Sequence, residues 1–110
     1  MPTRADVYTV PSKRYLAPGE LGTLGIDFAN YLADEVAIVS ATARIVATLT
    51  RVEVEDAVTA AVIDGTTATQ VNVTYDAAPL AAGVAYRLET AATIDADDDV
   101  RVLVTDIEVV

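Results

Sequence analysis

The chain contains no cysteine and no histidine. Without cysteine it cannot form a disulfide framework, a catalytic thiolate or a cysteine-ligated zinc site. Without histidine it lacks the side chain that most often transfers protons near neutral pH, so neither a Ser-His-Asp triad nor a histidine metal site can form. These absences predict a protein that is not an enzyme and that carries no cofactor.

Large aromatic side chains are scarce too, because the 110 residues include no tryptophan, one phenylalanine and five tyrosines. Hydrophobic residues still make up 53% of the chain, which argues against disorder, and the length suits one domain with a modest core. No apolar run approaches the ~20 residues of a membrane span, and the first ten residues lack the apolar segment of a signal peptide. We therefore expect synthesis in the cytoplasm and no membrane partner.

Basic residues are few, with seven Lys and Arg against 17 Asp and Glu and a net charge of −10. This excess of acid favours solubility and opposes binding to nucleic acid. The charge is unevenly placed, since residues 1–19 carry a net +2 and residues 20–110 carry a net −12. The composition fits either adaptation to salt or a GC-rich genome, and the sequence leaves both explanations open.

From residue 21 onward, apolar and polar residues alternate with the period of two that is typical of β-strands. Turn signals, such as Asp64-Gly65, separate the alternating runs every eight to twelve residues or so. We therefore predict an all-β sandwich or barrel of about seven or eight strands over residues 20–110, preceded by an extended arm over residues 1–19. One face of the run at 84–94 is expected to hold Val84, Tyr86, Leu88, Thr90, Ala92 and Ile94.

Four finer predictions concern individual strands. The arm is expected to hold one short strand at 6–10. The run at 36–43 is predicted to end in a break near Arg44, and the strict alternation at 51–55 predicts a further strand. A slip in the apolar phase between Val104 and Ile107 predicts a β-bulge at Thr105-Asp106.

The acidic run at 95–99 places Asp95, Asp97 and Asp99 at positions one, three and five, as in the start of a calcium loop. The sixth position, where such a loop needs glycine, is Val100, and the flanking runs read as strands rather than helices. A solvated hairpin turn is therefore the favoured interpretation, because aspartate makes local hydrogen bonds in turns. Asp95, Asp97 and Asp99 stay weak candidates for a metal site.

The N-terminal arm combines charge with aromatic area in one extended segment. Its candidate docking residues are Arg4, Tyr8, Lys13, Arg14 and Tyr15, and the neighbour they would contact is acidic, as a second copy of this chain would be. A tail that is disordered or packed on its own domain is the alternative.

Two parts of the sequence carry a resemblance to a known family. The first is LGTLGIDFANYL followed by VAIVSATARIV, with Ile26, Asp27, Phe28, Tyr31, Leu32, Ile38, Ser40 and Ala41 in the matching positions. The second is DGTTATQVNVTY followed by AAGVAYRLETAATIDADDDVRVLVTDIEV. Over residues 20–109 the chain resembles the small immunoglobulin-like virion proteins of tailed phages.

The resemblance implies an immunoglobulin-like antiparallel β-sandwich that serves as a structural component of a tailed-virus particle, as a head decoration, neck or tail-fibre attachment protein. It further implies a homo-oligomer located in the virion, with capsid, portal, neck or tail subunits as partners and no active site. A carbohydrate- or surface-binding accessory domain is the alternative, with loops 29–35, 76–83 and 95–99 as its contact surface and calcium as an optional ligand.

Overall fold

The computed structural model describes residues 5–9, 13–29, 37–65, 69–94 and 100–110. Within these ranges the chain forms eight β-strands in two packed sheets and no α-helix, so the predicted all-β sandwich is confirmed. The described residues include no helix that is long and apolar enough to cross a membrane. The strands are β1 (Ala5–Thr9), β2 (Arg14–Leu16), β3 (Leu21–Asp27), β4 (Ile38–Ala47), β5 (Val58–Ile63), β6 (Gln70–Asp76), β7 (Ala85–Ile94) and β8 (Val100–Val109).

The first sheet has the order β1-β8-β7-β4, with β2 also paired to β8. The pairs β4–β7 and β7–β8 are antiparallel, whereas β1 and β2 both run parallel to β8. The second sheet is antiparallel throughout and has the order β3-β6-β5. The first sheet thus ends at β4 on one side and at the two short N-terminal strands on the other.

The core lies between the two sheets and is built from alternate residues of the central strands. In β7 the buried residues alternate with half-buried ones, as predicted from Tyr86 to Ile94, but Val84 precedes the strand and is exposed. In β6 the buried side chains are Val71, Val73 and Tyr75. Among the described residues the largest fully buried side chain is Phe28, directly after β3. Because large side chains are few, many small contacts supply the apolar burial that stabilises the fold.

The predicted break near Arg44 is wrong, because β4 continues through this residue to Ala47. Its irregularity lies at the other end, where the register with β7 shifts between Ile38 and Ser40. Arg44 is compatible with the strand because it lies on the exposed face and pairs with Glu89 across the ladder.

The predicted strand at 51–55 is also wrong. Within this segment a single isolated bridge joins Glu53 to Val46, and a turn begins at Glu55. The backbone φ angle of Arg51, the first residue, is positive at 60°, and that of Asp56, directly after the segment, is positive at 66°, so extended backbone is limited to the few residues between them. Alternation alone was misleading here, because both apolar and polar residues of the segment are exposed or half-buried.

The predicted bulge at Thr105-Asp106 is absent, since β8 pairs with β7 without a register shift from Val100 to Glu108. The apparent slip in phase has two causes. Thr105 occupies an inward position and is buried despite its hydroxyl group, and Val104 is buried on the opposite face. Because Thr105 is polar but buried and Val104 is apolar but on the outer face, the apolar alternation in the sequence shifts by one residue as it would at a bulge.

The arm predicted over residues 1–19 supplies two strands to the first sheet. The expected short strand is found at Ala5–Thr9, and Leu16 of β2 is buried, with 2% of its surface exposed. A turn then leads into β3, with Gly19 at a φ of 73° and the Glu20 amide donating to the Ala17 carbonyl. This segment is therefore paired with its own domain at the β8 edge.

Candidate interaction surfaces

Strand β2 brings the candidate docking residues Lys13, Arg14 and Tyr15 to the exposed edge of the first sheet. All three are exposed, with 62% of Tyr15 accessible, while the next residue, Leu16, is buried opposite Val109. Leu16 thus anchors the strand in the core, and the residues before it are exposed to solvent.

Lys13 is partly satisfied within its own chain. Its Nζ donates to Glu108 Oε1 at 2.9 Å and lies 5.4 Å from the centroid of the Tyr15 ring. The hydrogen bond to Glu108 raises the pKa of the Lys13 amino group above its ordinary value. Because Lys13 already has two contacts at this edge, Arg14 and Tyr15 are the side chains there that are most available to contact another subunit.

The other two arm residues are only partly placed. Arg4 lies outside the described residues, and of Tyr8 only the backbone is described, in β1 opposite Leu103. The backbones of Tyr8, Arg14 and Tyr15 therefore follow one sheet edge, with Tyr8 beside the first half of β8 and the other two beside its end.

The acidic candidates Asp95, Asp97 and Asp99 lie outside the described residues, in the connection between β7 and β8. In the part of the chain that is described, no group of three or more Asp or Glu residues could hold a metal ion. The metal site at 95–99 stays a weak prediction.

The three loops of the alternative carbohydrate surface are only partly described. Residues 30–35 and 95–99 lie outside the described residues, and the strand ends next to them lie on one side of the first sheet, because Ile38 pairs with Ile94. Residues 76–83 lead into the opposite end of β7, where Ala85 pairs with Glu108. The carbohydrate surface stays a prediction.

The structure contains a cleft that the sequence did not predict, on the outer face of the first sheet. It has a volume of about 620 Å³ and is formed by β4, β7 and β8. Its side chains include Thr42, Arg44, Glu53, Arg87, Glu89, Ala91, Val102 and Val104. The charged groups lie at one part of the cleft, and the small apolar side chains of β7 and β8 form the rest.

Two arginines and two glutamates supply the charges of the cleft. Arg44 Nε donates to Glu89 Oε1 at 2.6 Å, so these two charges neutralise each other. A smaller adjoining cavity of about 200 Å³ shares Arg44, Arg87 and Glu89 and adds Arg51. Three of the seven basic residues of the chain therefore surround two neighbouring cavities.

Arg87 differs from its neighbours in having a buried nitrogen without a partner. Its Nε is inaccessible to solvent and makes no hydrogen bond to any described residue. Sequence patterning places Arg44 and Arg87 on exposed strand faces, but they are 43 positions apart, and only the β4–β7 register brings them onto one surface.

In the second sheet, the Tyr75 hydroxyl of β6 has a raised pKa. Its hydroxyl donates to the Glu20 carboxylate, and burial followed by this hydrogen bond raises the pKa of Tyr75 to about 12. A side chain at position 22 would collide with this ring, because a Cβ on Gly22 would lie 2.6 Å from the hydroxyl. The contact holds the turn at Glu20, directly after the arm, against the second sheet.

Comparisons with known proteins give no relatives for this chain: no family model matches it, and no curated protein or solved structure is significantly similar to it.

Proposed function

We propose that the protein is a structural component of a tailed-virus particle, and that it docks on neighbouring subunits through its N-terminal arm. The observation that carries the proposal is the edge formed by β2, where Leu16 is buried and the adjacent Arg14 and Tyr15 are exposed. A strand that is anchored by a buried leucine and presents an arginine and a tyrosine has the composition of interface hot spots.

The strand order supports the immunoglobulin-like part of the proposal. One sheet of β3, β6 and β5 faces another that contains β4, β7 and β8, which matches the division of strands in immunoglobulin-like sandwiches. The parallel pairing of the arm with β8 adds an edge strand at the place where the last strand would otherwise be open.

The partners in this proposal are capsid, portal, neck or tail subunits and further copies of the same chain, and the location is the virion. Repetition in a symmetric particle allows a small contact per copy, because many weak contacts act together. An arm of few residues is sufficient under these conditions.

The test is the double substitution Arg14→Glu with Tyr15→Ala, which removes the exposed pair and keeps the buried Leu16. Deletion of the arm would be a blunter test, because it would also uncover the β8 edge. We expect the double variant to fold like the wild type and to be missing from purified particles. Incorporation is measured by quantitative immunoblotting of particles assembled in the host.

The matched control is Val62→Glu, which adds an acidic group to an exposed position on β5, in the other sheet. The control should be incorporated at the wild-type level. Normal incorporation of the folded double variant would refute docking through the arm.

A further inference from the structure

We propose that the cleft on the outer face of the first sheet binds a carboxylate-bearing segment of another protein, with Arg87 as the residue that receives the carboxylate. The inference goes beyond the proposed function and does not involve the arm. It stands on the charge around the cleft, on the environment of Arg87 and on the apolar surface beside it.

The charge around the cleft is unusual for this chain. The protein as a whole has a net charge of −10, and the cleft itself is balanced, with Arg44 and Arg87 against Glu53 and Glu89. In the adjoining smaller cavity, Arg44, Arg51 and Arg87 outnumber Glu89. Since Glu89 is paired with Arg44, Arg51 and Arg87 leave a positive site at this end of the cleft, inside an acidic protein. Opposite charge at such a place attracts an anion and fixes its orientation.

Arg87 supplies the group for the anion. Its Nε is inaccessible to solvent and has no acceptor among the described residues, so an anion would meet the rest of the guanidinium and the Nε–H would report on its binding. An attraction between charges is stronger where water is excluded, and a guanidinium matches the geometry of a carboxylate. The side chain also lines both cavities, so an anion in either one would lie beside it.

The positive φ of Arg51 is a second sign of a constrained site. At 60° its backbone is left-handed, a conformation that is costly for an arginine and that clusters at binding sites. The turn is held by the Arg51 amide, which donates to the Ala47 carbonyl at 2.8 Å. The structure thus fixes the main chain of Arg51 at the edge of the smaller cavity.

The rest of the cleft indicates a protein segment rather than a phosphate-rich ligand. Ala91, Val102 and Val104 form an apolar surface next to the arginines, which suits the aliphatic side chains of a peptide. Glu53 and Glu89 keep the positive excess small, so one carboxylate is balanced here whereas a polyphosphate or nucleic acid would be repelled by the acidic chain.

The test follows the arginine Nε–H signals of the full chain by ¹⁵N–¹H NMR during titration with a short blocked peptide, acetyl-Val-Asp-Val-amide. A buried Nε–H exchanges slowly with water, so the Arg87 signal should be observable. We expect it to move saturably with this peptide. The uncharged peptide acetyl-Val-Asn-Val-amide should bind at least about tenfold more weakly, because it lacks the charge-assisted hydrogen bond.

Inorganic phosphate forms the third titration and should shift the Arg87 signal less than the Asp peptide does. Two outcomes with the unmodified protein would overturn the proposal: equal shifts with both peptides, or saturable binding of phosphate without binding of the Asp peptide. Neither outcome depends on whether a variant folds.

Two substitutions sharpen the assignment. Arg87→Lys keeps the charge and removes the planar guanidinium, and it should weaken Asp-peptide binding by about tenfold. Arg14→Gln, which removes an exposed arginine outside the cleft, should leave binding unchanged. An equal loss in both variants would mean that the peptide responds to general charge and not to this site.

Discussion

The two sheets of the sandwich share one core but differ in the basic residues that their strands carry. Strands of the first sheet contain Arg14, Arg44, Arg87 and Arg101, whereas the three strands of the second sheet contain no basic residue. The first sheet also carries the arm and the cleft. Both proposed contacts therefore belong to the same sheet, and the second sheet completes the core.

The outer face of the second sheet is polar without being cationic. Gln70 Nε2 donates to Asn72 Oδ1, and Asn72 Nδ2 donates to Asp64 Oδ1. The hydroxyls of Thr23 and Thr74 lie 3.4 Å apart across the ladder. Such short-range contacts within β6 and with its neighbouring chain segments satisfy the polar groups of the surface and leave few charges for a partner.

Substitutions in the core should lower the free energy of unfolding the most, and by similar amounts in the two sheets. Phe28→Ala, at the second sheet, is expected to lower the free energy of unfolding by about 3–5 kcal/mol, and Leu88→Ala, in β7, by about 2–5 kcal/mol. Both side chains are fully buried, so each substitution removes apolar contacts and leaves a cavity. Urea unfolding followed by circular dichroism measures both values.

Val62→Ala is the control for these variants, because 59% of Val62 is exposed on β5. It should change the free energy of unfolding by less than about 0.5 kcal/mol. A loss confined to Phe28→Ala, with Leu88→Ala close to the control, would contradict a core shared by both sheets.

Much of the fold was predictable because alternation directly reports which face of a strand is buried. The runs at 69–75 and 84–94 alternate cleanly, and both form strands that face the core. The errors arose where alternation and burial separate. Thr105 is a polar residue in the core, and Val52 is an apolar residue that is 63% exposed in a turn.

The cleft could not be predicted from the sequence for a different reason. Its residues come from β4, β7, β8 and the turn after β4, and their proximity depends on strand order and register. The local sequence pattern determines neither the strand order nor the register. The arm could be recognised as basic and extended, but its parallel pairing with β8 is a long-range contact that the local sequence does not encode.

Tyr75, in the second sheet, should make the stability of the protein depend on pH, because its pKa is raised in the folded state. The pKa of an ordinary tyrosine is 10, and burial raises the pKa of Tyr75 to about 12. Between these pH values the folded state therefore holds the proton more tightly than the unfolded state does. The resulting stability is complete below pH 10 and is lost as the pH rises from 10 towards 12. Unfolding by urea at several pH values in this range measures the slope.

Tyr75→Phe should flatten this slope, because phenylalanine has no proton to lose. Tyr15→Phe is the matched control, since it removes an exposed tyrosine from the edge of the first sheet. If the Tyr75→Phe variant keeps the full alkaline loss of stability, the buried hydroxyl and its contact with Glu20 do not cause it.

Thr105 tests whether the first sheet contains an unfavourable polar group in its core. Its Oγ1 is buried and has no hydrogen-bond partner among the described residues. Thr105→Val removes the unsatisfied hydroxyl at nearly constant shape and should stabilise the protein by about 1 kcal/mol. Thr42→Val, at an exposed hydroxyl on the outer face of the same sheet, should be close to neutral. Destabilisation by Thr105→Val would mean that the hydroxyl is satisfied in solution.

The smallest effect is expected for the ion pair between Arg44 and Glu89 at the cleft. A double-mutant cycle with Arg44→Gln and Glu89→Gln should give a coupling energy of about 0.2–1 kcal/mol, because the side chain of Arg44 is 58% exposed and water screens the pair. The coupling, measured by urea unfolding, should fall further in 1 M salt. The pair would then serve mainly to occupy Glu89, which keeps that carboxylate from neutralising Arg87. A coupling well above this range would make the pair a structural element of the first sheet and weaken the argument that its charges are arranged for a ligand.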